Sequence, residues 1–275
     1  EMMYEALRYF AGAKAPTSAY DTSASHDGAI GLTRVASWDN PYESTSAAKA
    51  DWCARPNMLV MSDSYPSYDS DQVPGSPYSS MTADAKLSTF NAKTLLDTIS
   101  NNEAGVKGLK FAGQTTTTNL DYAPSAKTVD SLAHVRGLAP EEPAKLGSYT
   151  SSAVAYYGKK TGIVPITGKT QSLDSYFVTF ASPVPTIEIP VNGRTVRVVP
   201  FAKTIDGAST NRAKGQYQPT DPIVDVYVRE IANTNSKNQK PGVNSGRPYM
   251  QYNIIYEADE QGNDFDMDVN SLYTL

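Results

Sequence analysis

Asn57–Ser62 (NMLVMS) is a short apolar run that stops abruptly at Asp63. A run without polar alternation suits a strand buried on both faces, as in parallel sheets, better than a half-exposed one. Loop signals follow at Pro66, Asp69, Asp71, Pro74, Gly75 and Pro77. Residues 87–101 then set Phe90, Leu95, Leu96 and Ile99 among helix formers, with Gly105 beyond as a stop. This spacing predicts a helix. A buried strand, an acidic loop and a helix make half of an open α/β unit.

Upstream, Met3, Leu7 and Phe10 recur at helical spacing over residues 2–10, and Gly12 is the natural stop. Residues 13–56 are rich in Ala, Ser, Thr, Asp and Pro without a sustained period, and are expected to form a long surface loop. Downstream, residues 112–148 return to loop character. Residues 148–157 (SYTSSAVAYY) predict a helix with Ala153, Val154 and Tyr157 on one face, and 172–180 alternate as a strand.

The character changes at Pro183. Residues 186–191 and 195–199 are β-rich and joined through Asn192-Gly193, a dipeptide that favours the positive φ values of a type I′ turn. Residues 223–231 and 249–256 alternate as strands around an Asn/Lys/Gly/Pro loop. The expected organisation is an α/β domain over 1–182 with long loop insertions, then a β-rich segment over 183–275 with its hairpin at 186–199. The late strands joining the first sheet is the other arrangement the pattern allows.

With 275 residues, 40% hydrophobic and 19% charged, the chain is long and apolar enough to bury a core. Its net charge of -5 and scattered Lys and Arg argue against a nucleic-acid partner. No apolar stretch approaches the roughly 18 residues of a membrane-spanning helix. The chain opens at Glu1, inside an expected helix and without an initiator Met, and is read as a trimmed or mature product with an upstream part elsewhere. Abundant Tyr, and loops full of Ser and Thr, point to an extracellular address.

Enzyme chemistry finds little support. His26 and His134 each stand alone in loop-like contexts, and no G-x-S-x-G elbow is present. Gly168-Lys169-Thr170 resembles the end of a phosphate loop. However, Gly162 lies one residue too far away and Pro165 interrupts the motif. The acidic loops carry more. Asp63 ends the apolar strand, where open α/β sheets bind ligands, and Asp69 and Asp71 share its loop. Such carboxylates suit a hard cation, Mg²⁺ or Ca²⁺; the plain alternative is a strand-ending aspartate and two solvated turn residues. Asp264, Asp266 and Asp268 form D-x-D-x-D near Glu257, Asp259 and Glu260. Val269 stands where an EF-hand needs Gly, so an irregular Ca²⁺ site or a solvated turn remains.

Several segments resemble the PilY/PilC-type tip adhesins of bacterial type IV pili. Tyr4-Glu-Ala-Leu-Arg-Tyr-Phe-Ala-Gly12 is similar to the helix after the second metal loop of their von Willebrand factor A-like domain. Cys53-Ala-Arg-Pro-Asn-Met-Leu-Val-Met-Ser-Asp63 is similar to the strand ending in the third metal-loop Asp, with Ser64 where the family usually has Gly. Leu95-Leu-Asp-Thr-Ile99 resembles the next helix. Arg136-Gly-Leu-Ala-Pro-Glu-Glu-Pro143 and Gly147-Ser-Tyr-Thr-Ser-Ser-Ala-Val-Ala-Tyr-Tyr157 are the most distinctive segments. Glu188-Ile-Pro-Val-Asn-Gly-Arg-Thr-Val196 and the stretch from Tyr256 to Asp268 complete an ordered set across nearly the whole chain.

The resemblance implies an incomplete von Willebrand factor A-like open sheet leading, through the β-rich segment, toward a C-terminal propeller. It implies a non-enzymatic module of attachment and pilus biogenesis at the cell surface, on the pilus tip or outer membrane. Its partners would be minor pilins, a host or surface ligand, and the rest of its own precursor. A cap that starts the pilus and binds no outside ligand is the alternative. Of the family's metal ligands only Asp63 carries over. Asp21-Thr-Ser-Ala-Ser25 matches the D-x-S-x-S first metal loop literally, but no strand precedes it, and it is set aside. The single cysteine, Cys53, is a disulfide candidate with a cysteine outside this chain, or else a buried thiol.

Overall fold

A computed structural model describes residues 1–20, 28–33, 35–43, 45, 49–62, 66–117, 125–138, 146–180, 184, 187–191, 193–200, 223–256 and 269–275. The chain forms two compact units, taken here one at a time. The first comprises Glu1–Gly108, Val129–His134 and Ser148–Phe180; the second comprises Leu109–Thr128, Val135–Gly147 and Ala181–Leu275.

The first unit is mixed α/β. Helix α1 (Met2–Phe10) buries Met3, Tyr4, Leu7 and Arg8. It ends where the sequence places its stop. Gly12 takes φ +84°, its N–H donates to the Tyr9 carbonyl, and the Ala13 N–H reaches back to the Arg8 carbonyl, both at 3.0 Å. That pair of bonds is the Schellman closure, which needs a left-handed residue. Helix α2 (Ala92–Asn102) starts later than its apolar periodicity implies, because Asn91 accepts from the Thr94 N–H at 2.9 Å and caps it there. Residues 85–87 form a separate 3₁₀ turn. Helix α3 (Thr150–Lys160) buries Ala153, Val154 and Tyr157 as expected, and Gly158 with them.

Strand β1 (Asn57–Ser62) pairs in parallel with β7 (Asp174–Thr179), in register from Asn57↔Asp174 to Ser62↔Thr179. Among the described residues these two strands are the whole parallel sheet. A short hairpin, β5 (Ile163–Ile166) with β6 (Lys169–Gln171), lies between α3 and β7 in sequence. The core joins Tyr4, Leu7, Phe90, Leu96, Val154, Tyr157, Ile163 and Leu173 with Met58 from β1. Phe90 sits at its centre, its ring centroid 4.9 Å from Tyr4 and 5.3 Å from Tyr157.

The expectation that β1 is buried on both faces holds for one face only. Met58 is 6% exposed, whereas Leu59 and Met61 are 63% and 74% exposed. The pleat sends them to opposite sides, and the helices cover only the Met58 side.

Gly162 follows α3 at φ +78°, and a Cβ there would lie 2.4 Å from the Gln171 carbonyl oxygen. Both the backbone conformation and the contact with fixed main chain exclude a side chain. Gly162→Ala is therefore expected to cost about 1–3 kcal/mol, read as a lower urea midpoint with an unchanged slope. Gly105→Ala, at similar φ but with open space around it, separates the two causes because only the conformational part remains there.

The second unit is built from small sheets. Strands β2 (Gly108–Gln114), β3 (Ser125–Val129) and β4 (Arg136–Leu138) form one sheet in the order β3-β2-β4. This stretch is read as loop from sequence. Its strands are short and carry Gly, Lys, Ser and Thr, so no apolar alternation marks them. Instead, Arg136 donates to Gln114 at 3.0 Å, and the Lys127 ammonium donates to the Ala112 and Gly113 carbonyls.

The hairpin joins β8 (Ile187–Val191) to β9 (Arg194–Val198), with Gly193 at φ +75° in its two-residue loop. Strands β10 (Ile223–Ala232), β11 (Tyr249–Tyr256) and β12 (Val269–Thr274) form an antiparallel sheet in that order. Ile223, Tyr252 and Ile254 from this sheet cluster with Ile187 from the hairpin. Tyr252 stacks on Tyr273 at 5.3 Å.

Candidate functional site

The loop after β1 is where sequence places the site. Asp63 lies outside the described residues. Asp69 and Asp71 are described, and they are drawn to different neighbours. Asp69 accepts from the Ser148 N–H at 2.8 Å, just before α3. Burial pushes its carboxyl above the usual aspartate range, against the pull of its Ser148 hydrogen bonds. Asp71 is exposed and lies near the Glu1 carboxyl. Burial first, and then Asp71, raise Glu1 above its ordinary value. Among the described residues no group of three His, Cys, Asp or Glu side chains is placed to hold a metal ion. The described carboxylates of this loop therefore do not fit a cation site by themselves. Asp264, Asp266 and Asp268, with Glu257, Asp259 and Glu260, lie outside the described residues, as do His26 and the 21–25 string.

Asp69 thus has a structural task that can be measured. Asp69→Ala leaves the Ser148 N–H without its acceptor and is expected to cost about 1–3 kcal/mol. Asp69→Asn keeps an acceptor and is expected to cost less. Because the folded carboxyl titrates above its unfolded value, folding favours the protonated form. Its contribution therefore falls as pH rises through the acid range between the two values, and Asp69→Asn should flatten that part of the stability–pH curve. Urea midpoints across the acid range check both statements.

Among the described residues, the most strongly organised charged site is one that the sequence does not single out. Arg8, on the buried side of α1, donates from Nη1 to both Glu5 carboxylate oxygens at 2.9 and 3.0 Å, and to the Thr17 hydroxyl at 2.9 Å. Its Nε and Nη2 donate to Asp84 Oδ2 at 3.2 and 3.0 Å. The guanidinium also lies 5.5 Å from the centre of the Trp38 ring. Burial works against its charge, but the bonds to Glu5 and Asp84 outweigh this and hold it above its ordinary value. The signal in the sequence is the Glu5–Arg8 spacing, one helical turn apart; Asp84 and Thr17 are too distant in sequence to be foreseen. An open groove of about 580 Å³ runs past Arg8, Thr17, Gln72, Met81 and Asp84. Arg8 meets it already paired with two carboxylates, so it brings an ion pair and not a free cation.

Cys53 is exposed and unpaired in this chain, which removes the buried-thiol reading. Next to it, Trp52 lies under the Lys169 ammonium, 4.5 Å from the ring centre. Gly168 is part of the tight turn of the β5–β6 hairpin, at φ +77°, with Ile166 paired to Lys169. A phosphate loop opens a helix; this turn joins two strands.

Two family models match the chain. One described as "PilY1 homolog, second domain" covers residues 1–158, and one described as "PilY1 homolog, beta-sandwich" covers residues 189–275. A type IV pilus biogenesis factor PilY1 homolog from Xylella fastidiosa (strain Temecula1) is 41% identical over 284 aligned residues. The match takes in 100% of this chain and 19% of that relative's length. No solved structure matches.

Proposed function

We propose that this chain, which belongs to the PilY1 homolog family, is a non-enzymatic module of a type IV pilus factor that serves pilus biogenesis and surface attachment. The observation that carries this reading is the extent of the match: the two family models fall on both parts of the chain, and the relative aligns along all of it. A pilus tip or outer-membrane location, contact with minor pilins and contact with a host or other surface ligand belong to the same proposal. So does a von Willebrand factor A-like arrangement for residues 1–182, which the parallel β1–β7 pair and the helices between its strands support. For the β-rich segment, the hairpin β8–β9 and the sheet β10–β12 sharing one apolar cluster support a sandwich.

Divalent-cation dependence, on Mg²⁺ or Ca²⁺, rests in this proposal on Asp63, the residue after Ser62 in the stretch whose sequence resembles the family's strand. The D-x-D-x-D at Asp264, Asp266 and Asp268 is a second, separate candidate. Asp63→Ala tests the attachment reading. Cells carrying it are expected to show normal surface pili but to lose chelator-sensitive attachment. Unchanged attachment in that strain would turn the proposal toward a pilus-initiating cap that needs no outside ligand.

A further inference from the structure

The β1–β7 pair presents an apolar face that nothing described covers. The register sets Leu59 beside Tyr176 and Met61 beside Val178, so these four side chains share one face. They are 63%, 56%, 74% and 55% exposed. Phe177, on the helix side of β7, is also exposed, so β7 is bare on both faces from Tyr176 onward. Scattered exposed apolar residues need no explanation, but a contiguous patch does. Parallel strands occur almost only with both faces covered, and two strands alone make a marginal sheet. Each strand also keeps one edge without a strand partner among the described residues.

We infer that this face is an internal interface, covered by a segment of the same polypeptide that lies outside these 275 residues. Three observations favour that occupant. The matched relative carries most of its length outside the aligned region, so ample chain exists to supply it. The link from β1 to β7 runs through α2, the strands β2–β4, α3 and the β5–β6 hairpin, and parallel strands joined by such long connections belong to sheets covered on both faces. The patch bears no charge, and such wholly apolar surfaces belong to permanent contacts more than to transient ones. The inference is independent of what the pilus factor binds and holds equally for an adhesin or a cap.

Thiol labelling tests it. Met61→Cys and Val178→Cys are made singly in the 275-residue chain and in the complete polypeptide that its gene encodes. Labelling is read by mass spectrometry on the peptide carrying each introduced thiol. Both positions are expected to label at once in the short chain. In the complete polypeptide they are expected to label roughly 100-fold more slowly, as for sites reached only through local opening. Hydrogen exchange of residues 57–62 and 174–179 in the unsubstituted proteins provides the same comparison should a substitution disturb folding. Equal rates in both proteins would overturn the inference. So would protection of the short chain that grows with its concentration, since a second copy would then be the cover. A gene product ending at these residues, or protection that requires a separately added protein, would overturn it as well.

Discussion

Arg8→Ala is expected to lower the stability of the α/β unit by about 3–5 kcal/mol, the cost of stranding buried carboxylates when their cation is removed. The Arg8, Glu5 and Asp84 side chains are only 11%, 15% and 19% exposed, so solvent screens them weakly. The loss has two parts. One is the guanidinium's packing against Trp38. The larger is the desolvation of Glu5 and Asp84, no longer offset. Arg8→Met keeps much of the packing and should still be strongly destabilised. Adding Glu5→Gln and Asp84→Asn to Arg8→Met removes the stranded charges and should recover much of the loss. Thermal or urea unfolding of the series gives the coupling directly. A loss under about 1 kcal/mol for Arg8→Ala would place this network with ordinary surface pairs.

Phe90→Ala is expected to have a comparable effect, about 3–5 kcal/mol, from lost burial and the cavity left behind. Phe90 is 3% exposed, between the rings of Tyr4 on α1 and Tyr157 on α3. Neither neighbour moves easily into the gap. The Tyr4 hydroxyl accepts from the Asp84 N–H at 3.3 Å, and the Tyr157 hydroxyl shares a 2.9 Å hydrogen bond with Thr89. Phe90→Leu fills part of the space and should cost clearly less. In a unit of this size the alanine variant should melt roughly 10 °C lower. Calorimetry would show this as a shifted transition; a shift of only a degree or two would mean that the aromatic trio is not the centre of the core.

What the sequence revealed, it revealed through strong local signals. Gly12 and Gly193 announce their turns because few other residues adopt the required φ. The helix faces of α1 and α3 show as apolar spacing because burial decides both. The strands β2, β3 and β4 could not be read, since they are short, poor in apolar side chains and held partly by Lys127 and Arg136. Strand β12 was missed as well: Val269, Leu272 and Tyr273 alternate too weakly to stand out beside the acidic stretch before them. The candidate site was legible as a list of aspartates but not as an arrangement. Asp69 turns to Ser148 and Asp71 to Glu1 because of contacts made far along the chain. The Arg8 network hides for the same reason, since Asp84 is 76 residues from Arg8. The uncovered face of β1 could not be inferred either, because an uninterrupted apolar run looks the same whether one side or both are packed.

The proposed role as part of a type IV pilus factor stands or falls on removing residues 1–275 in frame from the encoding gene and scoring surface pili and attachment on the same cells. The predicted result is loss of surface pili, of attachment or of both, restored by the intact gene. Cells that remain normally piliated and attach normally would contradict it.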